Sequence, residues 1–414
     1  MQSKDNNLKV FGLTQDTSTD KYILVYFKRN DFNGKCASCK QDNTSYAWCQ
    51  LCDPQKTAQG WTSGNKDVDN CIKEFQFKAT NYKDAIEWIP FSRLGNIQKI
   101  GEGGFGSVFS ATWLDGKRKV SEYIQSRSPS CVALKTLSCS RKNFPREFKN
   151  YTELRLVGSN FEVYGLTQNT TNNEYLMVFQ YANKGSLHKF HLSNFRDLNW
   201  KSKLKQLVDI SKNLKKVHEA GYFHGDFHSG NILQNQYING NLISYITGLG
   251  LSRKNDESDL EDSIYGVLPY VAPEVLNRRP YTIAADIYSF GVIMAEISSG
   301  IPPHYNIEYD EALAIKICNG LRPELAKGTP EFYIKLANQC MDADPSNRPT
   351  APYIYDEFSR WRKIVYNGTA KDKDELAILK AFQSADAIIP TLSTELPICP
   401  KDKLTSKLLN FRAN

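Results

Sequence analysis

The sequence predicts an α+β fold in which strands come first and helices last, behind a small cysteine-rich module. Three observations predict it. Strand-like residues flank a glycine-rich turn at Ile100-Gly101-Glu102-Gly103-Gly104-Phe105-Gly106-Ser107-Val108, and more strands follow at 132–135 and 175–179. Residues 200–220 then read as a helix, with Leu204, Leu207, Ile210, Leu214 and Val217 three or four apart and Gly221 as its stop. Four cysteines stand as two Cys-x-x-Cys pairs, Cys36/Cys39 and Cys49/Cys52, with nine residues between the pairs.

Composition narrows the function classes. The chain has 414 residues, 41% apolar and 23% charged, which is ordinary for a globular protein of two or three domains. No apolar run approaches the roughly 18 residues of a membrane span. The start, MQSKDNNLKV, has no apolar core behind a basic end. Both features set the expectation of a cytoplasmic chain without a membrane partner. The net charge of +7 is dispersed, apart from Lys117-Arg118-Lys119. That run reads as solvated surface, and no basic stripe or motif points to nucleic acid.

In chain order, residues 1–30 hold two short strands. They repeat: 10–25 returns at 163–178 with eight of sixteen positions identical, too many for turn composition alone. Each copy is strand, polar turn, strand. Residues 31–60 hold the cysteines. Two knuckles place four thiolates in a tetrahedron that suits structural Zn²⁺ and leaves no open position. Reduced free thiols or two redox pairs are the other readings. Residues 61–92 read as a helical connector packing Val68, Ile72 and Phe75. The other cysteines, Cys71, Cys131, Cys139, Cys318, Cys340 and Cys399, lack partner spacing and read as small hydrophobes. Residues 115–130 read as a long polar loop, and 367–414 as a polar tail.

The region 93–366 resembles the eukaryotic protein kinase domain. Its carriers are the glycine turn, Val132-Ala133-Leu134-Lys135, Phe223-His224-Gly225-Asp226-Phe227-His228-Ser229-Gly230-Asn231, Ala272-Pro273-Glu274, Asp286-Ile287-Tyr288-Ser289-Phe290-Gly291 and Asp344-Pro345-Ser346-Asn347-Arg348-Pro349. The likeness is to the tyrosine-kinase-like branch, and the zinc-knuckle leader is similar to those of expanded fungal kinase families. It implies a bilobal fold with a five-stranded small lobe and a mainly helical large lobe. The hairpin in 1–30 then reads as a remnant of a second small lobe.

The resemblance also implies roles. Gly101, Gly103 and Gly106 would admit ATP phosphates, and Lys135 would hold them. Val108, Ala133 and Leu233 would sandwich the adenine. Phe179 would be the gatekeeper, and backbone groups of Gln180 and Ala182 would bond the adenine edge. Asp226 would be the base and Asn231 a magnesium ligand. Asp286 would bond the catalytic-loop backbone, and Arg348 would pair with Glu274. The acceptor would be a Ser or Thr of a protein substrate. Ser258 and Ser263 lie in an acidic segment read as an exposed loop that offers phosphosites.

Three departures stand out. Gly248, in Thr247-Gly248-Leu249-Gly250, occupies the place of the aspartate that holds magnesium. Tyr151 occupies the place of the glutamate that pairs the lysine. Gly225 replaces an arginine that reads an activation-loop phosphate. They imply phosphoryl transfer that is weak or lost, with a pseudokinase scaffold or a zinc-module adaptor as alternatives.

Overall fold

The computed structural model describes residues 10–16, 21–26, 28–104, 106–137, 144–156, 161–255, 264–392 and 405–409. Cys139, Ser258, Ser263, Cys399 and the turn residue Phe105 lie outside them. The described chain forms two compact units. One gathers residues 1–101, 107–145 and 162–180, and the other gathers 102–106, 146–161 and 181–414.

In the first unit, β1 (Val10–Asp16) and β2 (Lys21–Tyr26) form an antiparallel hairpin. A short helix, α1 (Asp53–Thr57), closes the cysteine module. The connector forms α2 (Lys66–Lys78), started by the Asn65 side chain, which accepts from the Asp67 amide. Val68, Ile72 and Phe75 are buried, as the helical spacing predicts.

The main sheet has six strands, not five, in the order β3-β7-β8-β6-β5-β4. They are β3 (Glu87–Trp88), β4 (Leu94–Gly103), β5 (Gly106–Ser121), β6 (Ile124–Thr136), β7 (Val163–Gln168) and β8 (Tyr175–Gln180). The extra strand β3 lies parallel to β7, with Glu87 opposite Gly165. Any Cβ at Gly165 would collide with the Glu87 carbonyl, so the close approach requires glycine.

The sequence repeat is also a structural repeat. In β7–β8 the register slips between Val163 and Gly165, and in β1–β2 it slips between Val10 and Gly12. The pairs Gln168↔Tyr175 and Gln15↔Tyr22 correspond as well. Both copies carry the same bulge at the same residue.

Residues 115–130 are not a loop. β5 and β6 continue to a two-residue turn at Glu122 and Tyr123, both with positive φ (49° and 66°), the geometry of a tight hairpin. The tip grips the cysteine module. Tyr123 stacks on Tyr46 at 5.2 Å, and the Gln125 amide donates to the Ala47 carbonyl at 2.7 Å. Val120 packs on the buried group Trp48, Ala79, Tyr82 and Ala85. The basic run is engaged rather than merely solvated: Lys117 pairs with Glu162 at 3.1 Å, and Arg118 pairs with Glu87 at 2.8 Å.

The second unit starts with α3 (Phe144–Leu156), then α4 (Leu187–Asn194) and α5 (Trp200–Glu219). Short pairings follow: β9 (Tyr222–Phe223) with β12 (Arg253–Lys254), and β10 (Ile232–Gln236) with β11 (Leu242–Ile246). Beyond β13 (Ile264–Gly266) come α6 (Pro273–Leu276), α7 (Ile283–Ser299), α8 (Glu311–Cys318), α9 (Glu331–Cys340) and α10 (Ala351–Asn367). The predicted apolar face of α5 is buried along its length, from Leu204 to Val217. Helix α7 is buried from Ala285 to Ser298, so it forms the centre of the core.

Residues 367–414 are more than a polar tail. Helix α11 (Lys373–Ile388) buries Ile378, Leu379, Phe382 and Ala385 in that core, and Phe382 meets Trp200 and Phe332. Strand β14 (Lys407–Leu409) pairs antiparallel with β13.

Candidate active site

In the first unit, strand register puts the residues implied for nucleotide on one sheet face. Val108 lies opposite Lys135 across β5–β6, and Ala133 lies opposite Phe179 across β6–β8. Residues two apart share a face, so Val108, Ala133, Lys135 and Phe179 align. The opposite face carries Ala111, Val132, Leu134, Leu176 and Val178 into a core with Trp113 and Tyr164. The Gln180 amide donates to the Glu162 carbonyl at 2.8 Å. Space is open around Gly101 and Gly103, where an added Cβ meets nothing.

In the second unit, the catalytic loop is built from below by one buried carboxylate. Asp286, fully buried near the start of α7, accepts from the His224 amide at 2.7 Å and the Gly225 amide at 3.2 Å. His218 Nε2 (2.9 Å) and the Tyr281 hydroxyl (3.0 Å) complete its partners. Burial opposes ionisation of Asp286, yet His218, His224 and these hydrogen bonds outweigh it and hold its pKa below the ordinary range. The imidazole of His224 bridges the loop, donating from Nε2 to the Thr247 carbonyl at 2.7 Å and accepting the Asp226 amide on Nδ1 at 3.2 Å. The Arg348–Glu274 pair is bidentate, both bonds 2.7 Å.

Asp226 is 4% exposed. Asn231 Nδ2 donates to its carbonyl at 2.8 Å and to Oδ2 at 2.9 Å. Oδ1 is buried without a hydrogen-bond partner. Burial would raise the carboxyl's pKa, but His228, the hydroxyl of Ser406 and His224 hold it below the ordinary value. His228 had no assigned role from sequence. Its Nδ1 accepts the Gly230 amide at 3.2 Å, and its Nε2 stands 3.0 Å from Ser406 Oγ and 3.6 Å from Asp226 Oδ2. Its spacing, two residues after Asp226, was the available signal. Leu233 is half-buried on β10, opposite Tyr245.

The magnesium side differs. Gly248 has a left-handed backbone, φ 83°. A Cβ there would stand 2.5 Å from Asn231 Nδ2 and 2.6 Å from Oδ1. The Asn231 amide, turned onto Asp226, fills the space a side chain would need. The Tyr151 hydroxyl accepts the Gly248 amide at 2.7 Å, so it anchors backbone where a carboxylate was expected. The carboxylate of Glu147 lies 3.4 Å from the position of a Cβ on Gly250. Magnesium favours hard anionic oxygens, and Gly248 offers no side-chain oxygen. Gly225 has φ 81°, and a Cβ would lie 2.9 Å from the Leu251 carbonyl, so the absent arginine side chain is also disfavoured locally.

The cysteine centre fits a metal. All four Sγ atoms lie within 4.8 Å of one another, and Cys39 Sγ is 3.9 Å from Cys49 Sγ. Four sulfurs at about 2.3 Å from one Zn²⁺ are about 3.8 Å apart, while a disulfide would need about 2.05 Å. Arg29 reaches Cys39 and Cys49 at 3.9 Å each.

A buried loop in which Asp226 is bonded by Asn231, with the helix-borne carboxylate of Asp286 beneath it, is the arrangement of a kinase-type loop. Residues 94–358 match the family described as protein tyrosine and serine/threonine kinase, and the chain belongs to that family. It is 25% identical over 371 residues to the serine/threonine-protein kinase STY17 of Arabidopsis thaliana, covering 88% of this chain and 61% of that protein. It is 27% identical over 255 residues to cysteine-rich receptor-like protein kinase 2 of the same plant, covering 59% and 36%. A third relative is the probable serine/threonine-protein kinase roco5 of Dictyostelium discoideum, 28% identical over 296 residues, with 68% and 10% covered. The match thus spans between 10% and 61% of these relatives' lengths. Among the described residues, no helix is long and apolar enough to cross a membrane.

Proposed function

We propose that this chain is a signalling protein of the tyrosine-kinase-like branch, with a zinc-knuckle leader of the expanded fungal type, whose phosphoryl transfer is weak or lost. The β5–β6–β8 face binds adenine nucleotide, with Lys135 on the phosphates and Gln180 and Ala182 on the adenine. The acceptor is a protein Ser or Thr. When bound, ATP supplies the transferable phosphoryl group. Asp226 takes the proton of the acceptor hydroxyl, and Asn231 holds Asp226 in place.

One observation carries the impairment: the Asn231 amide lies on Asp226 and fills the space beside Gly248, which itself offers no side-chain oxygen for metal. Losing that ligand costs several kcal/mol of transition-state stabilisation. Structural Zn²⁺ in Cys36, Cys39, Cys49 and Cys52 orders a module too small to bury its own core.

The test is nucleotide-induced thermal stabilisation with and without Mg²⁺, together with transfer to a serine peptide. The proposal expects ATP to raise the melting temperature about equally in both conditions, with transfer near background. Stabilisation that needs Mg²⁺, accompanied by robust turnover, overturns it.

A further inference from the structure

The final described segment, 405–409, enters the catalytic loop. Ser406 is buried, 7% exposed, and its hydroxyl meets the two groups an acceptor hydroxyl would meet. It donates to Asp226 Oδ2 at 2.7 Å and takes a hydrogen bond from His228 Nε2 at 3.0 Å. Nδ1 accepts the Gly230 amide, so the proton on Nε2 faces Ser406 and the polarity is consistent. Backbone contacts hold the segment in register. Lys407 lies opposite Gly266, Leu408 opposite Tyr265 and Leu409 opposite Ile264. On the other side, a Cβ at Gly104 would collide with the Ser406 carbonyl, so Gly104 is flush against the segment. Lys407 and Leu408 are exposed, while Leu409 is 5% exposed and joins the main core beside Ile264.

We infer that residues 405–409 are a tethered acceptor mimic that closes the peptide site of this kinase domain. The inference rests on the proposed role of Asp226 as base. The seated segment also defines what the site accepts: an extended chain, a hydroxyl residue facing Asp226 and His228, and an apolar residue three positions later in the Leu409 pocket. Strand pairing to β13 supplies affinity without regard to sequence, and the two inward side chains supply selectivity. A substrate must displace a competitor whose effective concentration, set by its tether, is in the millimolar range.

The test uses the full chain and a fluorescein-labelled peptide of residues 402–412, followed by anisotropy, with hydrogen exchange of 264–266 and 407–409 measured in parallel. Neither readout needs catalysis or nucleotide, so both stand if the nucleotide reading fails. In Leu409→Asp, and to a lesser degree in the milder Leu409→Ala, exchange at 407–409 rises and the peptide binds about tenfold or more tighter than to the unsubstituted chain. Melting temperatures confirm that both variants fold. Equal peptide affinity across all three proteins, or amides at 407–409 that exchange freely in the unsubstituted chain, overturns the inference.

Discussion

The two flanks of the catalytic loop are built differently. Beneath it, charged groups are fully paired: Asp286 meets four donors, and Arg348 grips Glu274 through two bonds. Beside it, Gly248 and Gly225 carry no side chain, and Tyr151 anchors the Gly248 backbone through its hydroxyl. The difference teaches that the geometry of Asp226 does not depend on a carboxylate at the Gly248 position: Asn231 and the Asp286-anchored backbone hold it. The loop is shaped by α7 and by His224. A well-formed catalytic loop therefore reports the fold, while the neighbouring carboxylates report the chemistry.

The sharpest way to break this contrast is Asp286→Ala. It strands buried donors on His224, Gly225, His218 and Tyr281, and the expected cost is about 3–5 kcal/mol in denaturant unfolding. A loss below about 1 kcal/mol would mean the loop holds its shape without the carboxylate. Next in size is acid sensitivity. Burial depresses the His191 pKa to about 4, and its Nε2 is 3.0 Å from Gln206 Oε1. The unfolded chain binds that proton near pH 6.5 and the folded chain does not, so stability falls as pH drops from about 6.5 toward 4. His191→Gln should flatten that window by about 1–3 kcal/mol; an unchanged pH slope would show that His191 is not the group responsible.

On the other flank, Gly248→Asp should raise transfer about tenfold or more. Aspartate tolerates a left-handed backbone better than most residues, and the obstacle is an amide that can rotate off Asp226. No gain would place the defect elsewhere, with Tyr151 first in line. The smallest effect concerns the cysteine centre. Chelation should release about one Zn²⁺ per chain and loosen the β5–β6 tip, read as faster exchange around Tyr123, while the melting of the helical unit stays put. A chain that contains no zinc when purified contradicts the tetrahedral reading.

Much of this was legible in the sequence. The apolar faces of α2 and α5 and the grouping of four cysteines follow from spacing, and the partners of Asp286 and Arg348 follow from the family resemblance. Other features depend on contacts that spacing does not encode. The parallel strand β3 has two residues, too short for a period, and exists because Gly165 admits it. The polar stretch 115–130 reads as loop because its few apolar residues, such as Val120 and Ile124, show no strand period, and its partner is the cysteine module rather than a core. Helix α11 carries its apolar residues among charges, so its docking on Trp200 was hidden. Ser406 gives no signal at all: only the pairing of β14 with β13 brings it 180 residues back to Asp226.

The most direct test of the central claim is calorimetric titration of ATP into the protein, with Mg²⁺ present and with Mg²⁺ removed by chelation. An intact metal site would tighten binding strongly on adding Mg²⁺. For a domain in which Gly248 stands at the metal position, the two titrations should agree within about threefold, a difference of under about 1 kcal/mol. A tightening of about a hundredfold with Mg²⁺, or no ATP uptake in either titration, would contradict it.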